Sequence, residues 1–249
     1  MSSYEALAGS YDALTEDVAY QRRADFIEKL LRRSRIPVKT VLDLACGTGT
    51  MTCLFARRGY EMIAVDGSED MLSRAREKAE GLPGVPPLFL HQEMPKLDLY
   101  GTVEAAICCL DSLNYLTAPA EVQRTFQRLS LFVQPGGVLV FDVHTPEHLA
   151  GLDGQVFLDE REDVYCVWRP EYDRRSGICT YYMDLFNRRG DGAWDRQLEI
   201  HRQRSYPIAQ LRSWLMEAGF PKVSTYGDCR MRAPREGEER VYFCAVRGR

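Results

Sequence analysis

Residues 41 to 49 read Val41-Leu-Asp-Leu-Ala-Cys-Gly-Thr-Gly49, an apolar segment that carries one aspartate and ends in a glycine-rich turn. A helical pattern follows directly after the turn. Apolar side chains on both sides of a strand are typical of a parallel sheet covered on both faces, and glycine allows a ligand to approach the backbone. The segment therefore predicts a strand, turn and helix that bind a nucleotide-like cofactor.

The glycine spacing in this turn argues against NAD. A dinucleotide fingerprint reads Gly-x-Gly-x-x-Gly, whereas this chain reads Gly47-Thr-Gly-Thr-Met-Thr52 and lacks the third glycine. The stretch from Asp43 to Gly49 closely resembles the first motif of class I S-adenosylmethionine-dependent methyltransferases. This resemblance implies S-adenosyl-L-methionine as the cofactor and S-adenosyl-L-homocysteine as the product.

Length and composition are those of an ordinary globular protein. The chain has 249 residues, 45% of them hydrophobic, and can therefore bury the core of one domain with an additional substructure. Its formal net charge of -4 argues against a surface built to neutralise nucleic-acid phosphates. We expect a cytoplasmic protein without a membrane partner, because no apolar run reaches membrane length, no signal peptide is evident and the cysteines show no Cys-x-x-Cys spacing.

Short apolar strands and helices alternate after residue 40, and this alternation predicts an α/β fold with helices on both faces of the sheet. Strands are expected near 41–45, 61–66, 88–92, 104–110 and 137–143. Helices are expected over 49–58, 69–80 and 119–132, the last closing at Pro135-Gly-Gly137. With a helix over 208–219 and strands near 221–227 and 240–246, the pattern resembles the Rossmann-like, seven-stranded, mostly parallel methyltransferase sheet, whose last strand is antiparallel.

Three parts are expected along the chain. Residues 1–36 form an N-terminal helical lid, residues 37–150 and 207–249 the methyltransferase core, and residues 151–206 an antiparallel β insertion covering the acceptor site. Hairpin signals at Asp173-Arg-Arg-Ser-Gly177 and Arg189-Gly-Asp-Gly192 mark the insertion. Its aromatic residues line the interior of the extra sheet, an acceptor pocket or a dimer contact. The candidates for the pocket are Tyr182, Trp168, His201 and Arg202.

In a doubly wound sheet the ligand lies beyond the carboxyl ends of the strands. Asp66 ends the second strand, where a carboxylate accepts hydrogen bonds from both ribose hydroxyls; the alternative role, a helix N-cap, suits Ser68 better. Glu93 follows the third strand, where the family often has Asp, and we expect it to reach the adenine amine beside Met94. The predicted cofactor-binding residues are Tyr11, Asp43, Ala45, Gly47, Gly49, Asp66, Gly67, Met71, Glu93, Met94, Leu110 and Asn114.

The segment Asp111-Ser-Leu-Asn114 follows the fourth strand, where the family places residues near the transferred methyl group. It lacks the prolines that DNA amino methyltransferases have there, so we expect no DNA acceptor. Asp111 and Asn114 either contact the acceptor or cofactor or only shape the loop. Asp111 and His144 are the predicted catalytic residues, His144 as a general base or, alternatively, as a hydrogen-bonded histidine at a strand end. Since Asp111, Asp142 and His144 have no evident third oxygen ligand beside them, no metal site is predicted.

The segment from Tyr4 to Asp12, followed by Tyr20, is similar to the lid of small-molecule amine methyltransferases, including glycine and amino-sugar N-methyltransferases. This similarity implies that Tyr11 covers the cofactor. We expect an enzyme that methylates nitrogen or oxygen of a small-molecule acceptor, with a homodimer left open. The alternatives are a tRNA or rRNA methyltransferase that uses arginines around 22–35 and 230–249, a non-catalytic S-adenosylmethionine-binding protein, and an NAD-linked oxidoreductase.

Overall fold

The structure is a computed structural model, and it describes residues 7–249. The segment carrying the glycine turn is the strand β1, near the middle of a seven-stranded sheet with the order β10-β11-β5-β4-β1-β2-β3. The strands of this sheet are β1 (Thr40–Leu44), β2 (Glu61–Asp66), β3 (Leu88–His91), β4 (Val103–Cys108), β5 (Val133–His144), β10 (Lys222–Gly227) and β11 (Arg240–Val246). Strand β11 pairs antiparallel with both β5 and β10, while β1 to β5 are parallel to one another.

Helices cover both faces of this sheet. They are α1 (Tyr11–Leu14), α2 (Tyr20–Leu31), α3 (Thr50–Arg57), α4 (Glu69–Ala79), α5 (Pro119–Phe132), α6 (Pro146–Gly151) and α7 (Ile208–Glu217), and short 3₁₀ turns span Met94–Lys96 and Ser112–Tyr115. Phe126 of α5 and Leu211 of α7 belong to one buried cluster, whereas Phe26 of α2 and Phe55 of α3 belong to a second. The two clusters lie on opposite faces of the sheet, because successive side chains along β1 alternate between them. The predicted fold class is confirmed.

The fifth strand begins earlier than predicted. Helix α5 ends at Phe132 and β5 starts at the next residue, so Pro135-Gly-Gly137 lies inside the strand and does not close a helix. The extra residues are taken up by a register shift opposite β4, between Val103 and Ala105. At Gly137 a Cβ atom would lie 2.4 Å from the carbonyl oxygen of Glu104, so only glycine fits there.

Between the core segments, four antiparallel strands form a separate sheet with the order β6-β7-β8-β9. They are β6 (Phe157–Glu160), β7 (Val164–Asp173), β8 (Ile178–Arg188) and β9 (Trp194–Arg204). The two predicted hairpins join β7 to β8 and β8 to β9. One face of this sheet packs on the N-terminal segment, in a cluster that includes Leu7, Leu14, Cys166 and Leu185.

The N-terminal prediction is only partly met by α1 and α2, since the residues between them form turns, and Tyr4 lies outside the described residues. Helix α6 was not predicted. Over residues 7–249, no helix has the length and apolar character needed to cross a membrane.

Candidate active site

A cavity of about 490 Å³ opens at the carboxyl ends of the parallel strands. Its volume falls within the usual range of small-molecule sites, roughly 300–1,000 Å³. Ten of the twelve predicted cofactor-binding residues line it: Tyr11, Asp43, Ala45, Gly47, Asp66, Gly67, Met71, Glu93, Met94 and Leu110. Gly49 and Asn114, and the predicted catalytic residues Asp111 and His144, are not among its lining residues.

The turn after β1 has an unusual backbone. Ala45, Gly47 and Gly49 all have positive φ, at 60°, 55° and 75°. A Cβ atom on Gly47 would have no neighbour within 4 Å, whereas one on Gly49 would lie 2.9 Å from the Cβ of Ala75 in α4. Gly47 therefore leaves space for a ligand at the cavity wall, and Gly49 allows α3 to begin close against α4.

Asp66 holds this turn at the end of β2. Its carboxylate accepts hydrogen bonds from the backbone N–H groups of Gly47, at 2.8 Å, and Ser68, at 2.9 Å. Burial raises the pKa of the Asp66 carboxyl, although these backbone donors oppose the rise. The N-cap of α4 is Ser68, whose hydroxyl accepts from the N–H of Met71. Because each carboxylate oxygen has a further lone pair, Asp66 has the chemistry to accept two hydroxyl groups from a ligand.

Asp43 lies beneath the same turn and is 1% exposed. One carboxylate oxygen accepts a hydrogen bond from Oγ1 of Thr52 at 2.5 Å. Burial raises the pKa of the Asp43 carboxyl to about 7, and the nearby Asp66 adds to the rise. This environment suits a residue that fixes the turn to α3.

The segment after β4 is held by Asp142 at the carboxyl end of β5. Leu110 and Asp111 have φ of 57° and 50°, a strained conformation for residues other than glycine. The Asp142 carboxylate accepts both of their backbone N–H groups, at 2.9 and 3.1 Å, and is paired with the guanidinium of Arg240. Leu110 thereby reaches the cavity wall in a conformation that this buried carboxylate supports.

The predicted catalytic residues lie within a buried ionic network. Arg240 donates to Oδ1 of Asp111 at 2.7 Å and lies 2.9 Å from Nε2 of His144. Burial opposes ionisation of Asp111, but His144 and Arg240 outweigh it and hold the pKa of that carboxyl well below its usual range. Nε2 of His144 also lies 3.3 Å from Oδ1 of Asp111, so this nitrogen faces both Arg240 and a carboxylate. The general-base role of His144 stays a prediction, and its ring does not line the cavity.

Asn114 lies between the two sheets, and its predicted contact with the cofactor stays a prediction. Its side-chain oxygen accepts from the N–H of His144 at 3.0 Å, and its amide nitrogen donates to the carbonyl of Arg204 at 3.0 Å. Both ends of the amide are thus bonded to backbone groups, at the end of β5 and at the end of β9. Asn114 joins the seven-stranded sheet to the four-stranded one, which is the loop-shaping alternative.

The N-terminal segment closes one side of the cavity. Tyr11 lines the cavity together with Tyr20, and the two side chains are hydrogen bonded. Burial raises the pKa of the Tyr11 hydroxyl well above its usual value. The next residue, Asp12, accepts hydrogen bonds from Oγ1 of Thr48 and from Nζ of Lys78, each at 2.7 Å. The segment is therefore bonded directly to the glycine turn.

Sequence reasoning missed several residues around the cavity. Tyr115 and Glu121 line it after β4, and Gln92 lines it after β3. Of the candidates named in the insertion, His201 is buried and hydrogen bonded to the hydroxyl of Tyr115, whereas Arg202 is exposed. The buried polar row at 199, 201 and 203 was not predictable, because these residues alternate with Leu198 and Ile200, a pattern that predicts an exposed polar face.

The chain matches known proteins over its whole length. A family model described as a methyltransferase domain matches residues 41–137. A protein of Geobacillus sp. (strain WCH70) that is named as a methyltransferase is 34% identical over 245 residues, covering 98% of this chain and 99% of that protein. The crystal structure of a S-adenosylmethionine-dependent methyltransferase from Clostridium acetobutylicum ATCC 824 has a TM-score of 0.86 and 26% identity, covering 99% of both chains.

Two further relatives are named after their acceptors. The dTDP-3-amino-3,4,6-trideoxy-alpha-D-glucopyranose N,N-dimethyltransferase of Streptomyces venezuelae is 31% identical over 164 residues, covering 65% of this chain and 66% of that protein. A glycine/sarcosine N-methyltransferase of Halorhodospira halochloris is 24% identical over 217 residues, covering 82% of this chain and 72% of that protein. The chain belongs to the S-adenosylmethionine-dependent methyltransferase family, and its similarity to the amine and amino-sugar branch is confirmed.

Proposed function

We propose that the protein transfers the methyl group of S-adenosylmethionine to the nitrogen of a small amine. The observation that carries this proposal is the cavity itself, which is bounded by the glycine turn on one side and by Tyr11 and Tyr20 on the other. A site of this volume suits a cofactor and a small acceptor. The named acceptors of two relatives, an amino sugar and glycine or sarcosine, support nitrogen over oxygen.

The residues along the cavity fit the parts of this cofactor. Asp66 has lone pairs for the two ribose hydroxyls, and Gly47 allows close approach of the ligand to the backbone. Glu93 and Met94 line the cavity after β3, where an acidic side chain accepts from an exocyclic amine and Met94 offers apolar contact. When bound, the cofactor supplies an electrophilic methyl group on a sulfonium.

Catalysis would rest on positioning and on the exclusion of water. Tyr11, Tyr20 and Tyr115 line the cavity together with Leu110, and aromatic faces favour cationic groups such as an ammonium or a sulfonium. Holding two reactants in line converts a bimolecular step into an effectively unimolecular one. We propose that residues 1–36 act as the lid over this site and that residues 151–206 supply the acceptor side, beside the core formed by residues 37–150 and 207–249.

The hydrogen bonds made by residues 10–13 support this lid role. Asp12 is bonded to the glycine turn, Ser10 donates to the side chain of Asn187 at 2.5 Å, and Arg161 donates to the carbonyl of Ala13 at 3.1 Å. One short segment thus connects the core to the four-stranded sheet, so opening the cavity would require these bonds to break. All eight cysteines are free thiols, which is consistent with our further proposal of a cytoplasmic, reducing location.

The test is transfer of an isotopically labelled methyl group from S-adenosylmethionine to a panel of acceptors, followed by mass spectrometry. The panel contains glycine, sarcosine, a dTDP-amino sugar, phenols and total tRNA. We expect the label on the nitrogen of a small amine, with one S-adenosylhomocysteine formed for each methyl group. Label on tRNA or on a hydroxyl group alone would contradict the proposal. Asp66→Asn should lower kcat/KM for S-adenosylmethionine by about 10- to 100-fold, and the exposed Glu69→Gln in the same segment is the matched control.

A further inference from the structure

Strand β9 presents a row of buried polar side chains to the core. Glu199, His201 and Gln203 are separated by two residues each, so they share one face of the strand, and they are 8%, 2% and 4% exposed. Buried polar groups on a sheet are costly unless they are hydrogen bonded. Gln203 donates to Oδ2 of Asp111 at 2.7 Å, which joins this row to the segment after β4.

Two members of the row form a chain of hydrogen bonds that ends at the cavity. Nε2 of His201 lies 2.7 Å from Oε2 of Glu199, and Nδ1 of His201 lies 3.2 Å from the hydroxyl oxygen of Tyr115. The rings of Tyr115 and His201 meet edge to face, with centroids 5.8 Å apart. Tyr115 is itself part of the cavity wall.

The chemistry of the partners decides which atom donates and which accepts in each of these hydrogen bonds. Oε1 of Glu199 accepts the N–H of Leu7 at 2.7 Å, and accepting hydrogen bonds favours the ionised carboxylate. An ionised carboxylate only accepts, so Nε2 of a neutral His201 carries the proton and Nδ1 accepts from Tyr115. The Tyr115 oxygen can accept a hydrogen bond while its proton is donated to His201.

We propose that Tyr115 is a catalytic residue whose hydroxyl contacts the acceptor amine, and that His201 and Glu199 position it and store the proton. This inference rests on the proposed function, because it requires an amine acceptor. In the step, an ammonium N–H proton moves to the Tyr115 oxygen while the Tyr115 proton moves to Nδ1 of His201. The amine nitrogen gains a free lone pair, Tyr115 remains a phenol, and His201 becomes an imidazolium beside Glu199.

Methyl transfer then balances without a further proton acceptor. The nitrogen lone pair forms the new bond to carbon, the carbon–sulfur bond breaks with its electron pair on sulfur, and the methylated ammonium product retains its positive charge. The proton held on His201 returns to solvent after the products leave. His144 does not serve here, since its Nε2 lies against Arg240 and Asp111 and its ring is not part of the cavity wall.

Charged and titratable groups surround His201 and Tyr115. They are Glu199 on the strand of His201, Tyr181 on β8, Asp111 after β4, Tyr11 on α1, and Arg240 and His144 beside Asp111. Among the described residues, Glu199 is the carboxylate that is hydrogen bonded to the ring of His201. A negative charge at this distance stabilises a proton on an imidazole, and Glu199→Gln removes that stabilisation.

The pH profile separates this role from a structural one. Alkyl amines titrate near the lysine value of about 10.4, so at neutral pH only about one molecule in a thousand has a free lone pair. The transfer of the proton through Tyr115 to His201, called the relay below, allows the abundant ammonium form to react. Without it, only the neutral form reacts, so kcat/KM should fall by about 10³-fold at neutral pH. The loss should shrink about tenfold with each added pH unit and vanish near the pKa of the amine.

The experiment measures kcat/KM from pH 6.5 to 10 for Tyr115→Phe, His201→Gln and Glu199→Gln, with the amine that the acceptor panel identifies. Tyr100→Phe is the matched control, because Tyr100 is fully exposed and does not line the cavity. A loss confined to neutral pH in the three variants supports the relay. A loss of equal size at every pH, or no loss, overturns it.

A second measurement keeps this test separate from that of the proposed function. Histidine labelled with ¹⁵N reports the protonation of each ring nitrogen of His201 in the complex with S-adenosylhomocysteine, and it needs no acceptor. We expect a neutral ring protonated at Nε2, whose Nδ1 signal shifts in Tyr115→Phe and not in Tyr100→Phe. A ring protonated at Nδ1, or a signal insensitive to Tyr115→Phe, overturns the relay even if amine methylation is found. If the relay signals appear and no amine is methylated, the proposed function fails instead.

Discussion

Oδ1 of Asp12 lies 2.7 Å from Oγ1 of Thr48, and this contact joins the N-terminal segment to the turn that follows the first core strand. Lys78 donates to the same two residues and to Thr50, so the contact forms a small network. Tyr11 precedes Asp12 and lines the cavity. The network therefore fixes the position of the side chain that, in our proposal, covers the cofactor site.

Asp12→Ala should speed release of the cofactor product. Losing a hydrogen bond of this kind costs about 0.5–1.5 kcal/mol, so we expect dissociation of S-adenosylhomocysteine to become about three- to tenfold faster. Stopped-flow displacement measures this rate. Asp17→Ala is the control, because Asp17 contacts Arg161 at 3.7 Å and takes no part in the network. Equal rates in Asp12→Ala and the wild type would contradict the lid role.

The two motif glycines should fail in different ways when changed to alanine. Both have positive φ, which costs a non-glycine residue roughly 1–2 kcal/mol. Gly49→Ala adds a clash with Ala75 and should destabilise the fold further, whereas Gly47→Ala should mainly weaken binding of S-adenosylhomocysteine. Urea denaturation and calorimetric titration of both variants measure the difference. Greater loss of stability in Gly47→Ala would contradict this assignment.

Asp142→Asn should destabilise the protein strongly. The substitution removes the charge that pairs with Arg240 and disturbs acceptors for the N–H groups of Leu110 and Asp111. Breaking a buried ion pair typically costs about 3–5 kcal/mol. Asp98→Asn is the control, because it removes only the exposed ion pair with Arg128. We expect it to change the free energy of unfolding very little. Equal free energies of unfolding for the two variants would show that Asp142 does not support the strained turn.

Asp43 should make the unliganded protein less stable as the pH rises. Its carboxyl has a pKa of about 7 in the fold and near 3.8 when unfolded, so between these values the folded state binds more protons. Stability from this group is present below about pH 4 and is lost as the pH rises to about 7. The free energy of unfolding of Asp43→Asn, relative to that of the wild type, should increase by about 1–3 kcal/mol from pH 5 to pH 8. If the difference between the two free energies stays constant over this range, the pKa of Asp43 is not raised as stated.

The alternation of strands and helices predicted the core well, because β1, β2 and β4 are apolar on both faces and short turns separate them from helices. The exception was Pro135, which looked like the end of a helix. It lies within β5 because a register shift against β4 accommodates the extra residues, and pairing across a sheet is not visible in the sequence of one strand.

The site was predictable where the family motif lies and much less so elsewhere. Asp66 and Gly47 were found because they follow core strands directly. Arg240 was missed because its partners Asp111 and Asp142 are about a hundred residues away in sequence, and a charge at the start of a strand suggests exposure. The contact of Tyr115 with His201 likewise depends on how the second sheet packs on the first.

The most direct test of the central claim is calorimetric titration with S-adenosylhomocysteine of the wild type, Asp66→Asn and Glu69→Gln. If the cavity after β1 and β2 is the cofactor site, the wild type and Glu69→Gln should bind one equivalent with micromolar affinity. Loss of a charged hydrogen-bond acceptor, about 1.5–3 kcal/mol, should weaken Asp66→Asn by about 10- to 100-fold. Unchanged affinity in Asp66→Asn would contradict the claim that this carboxylate holds the cofactor.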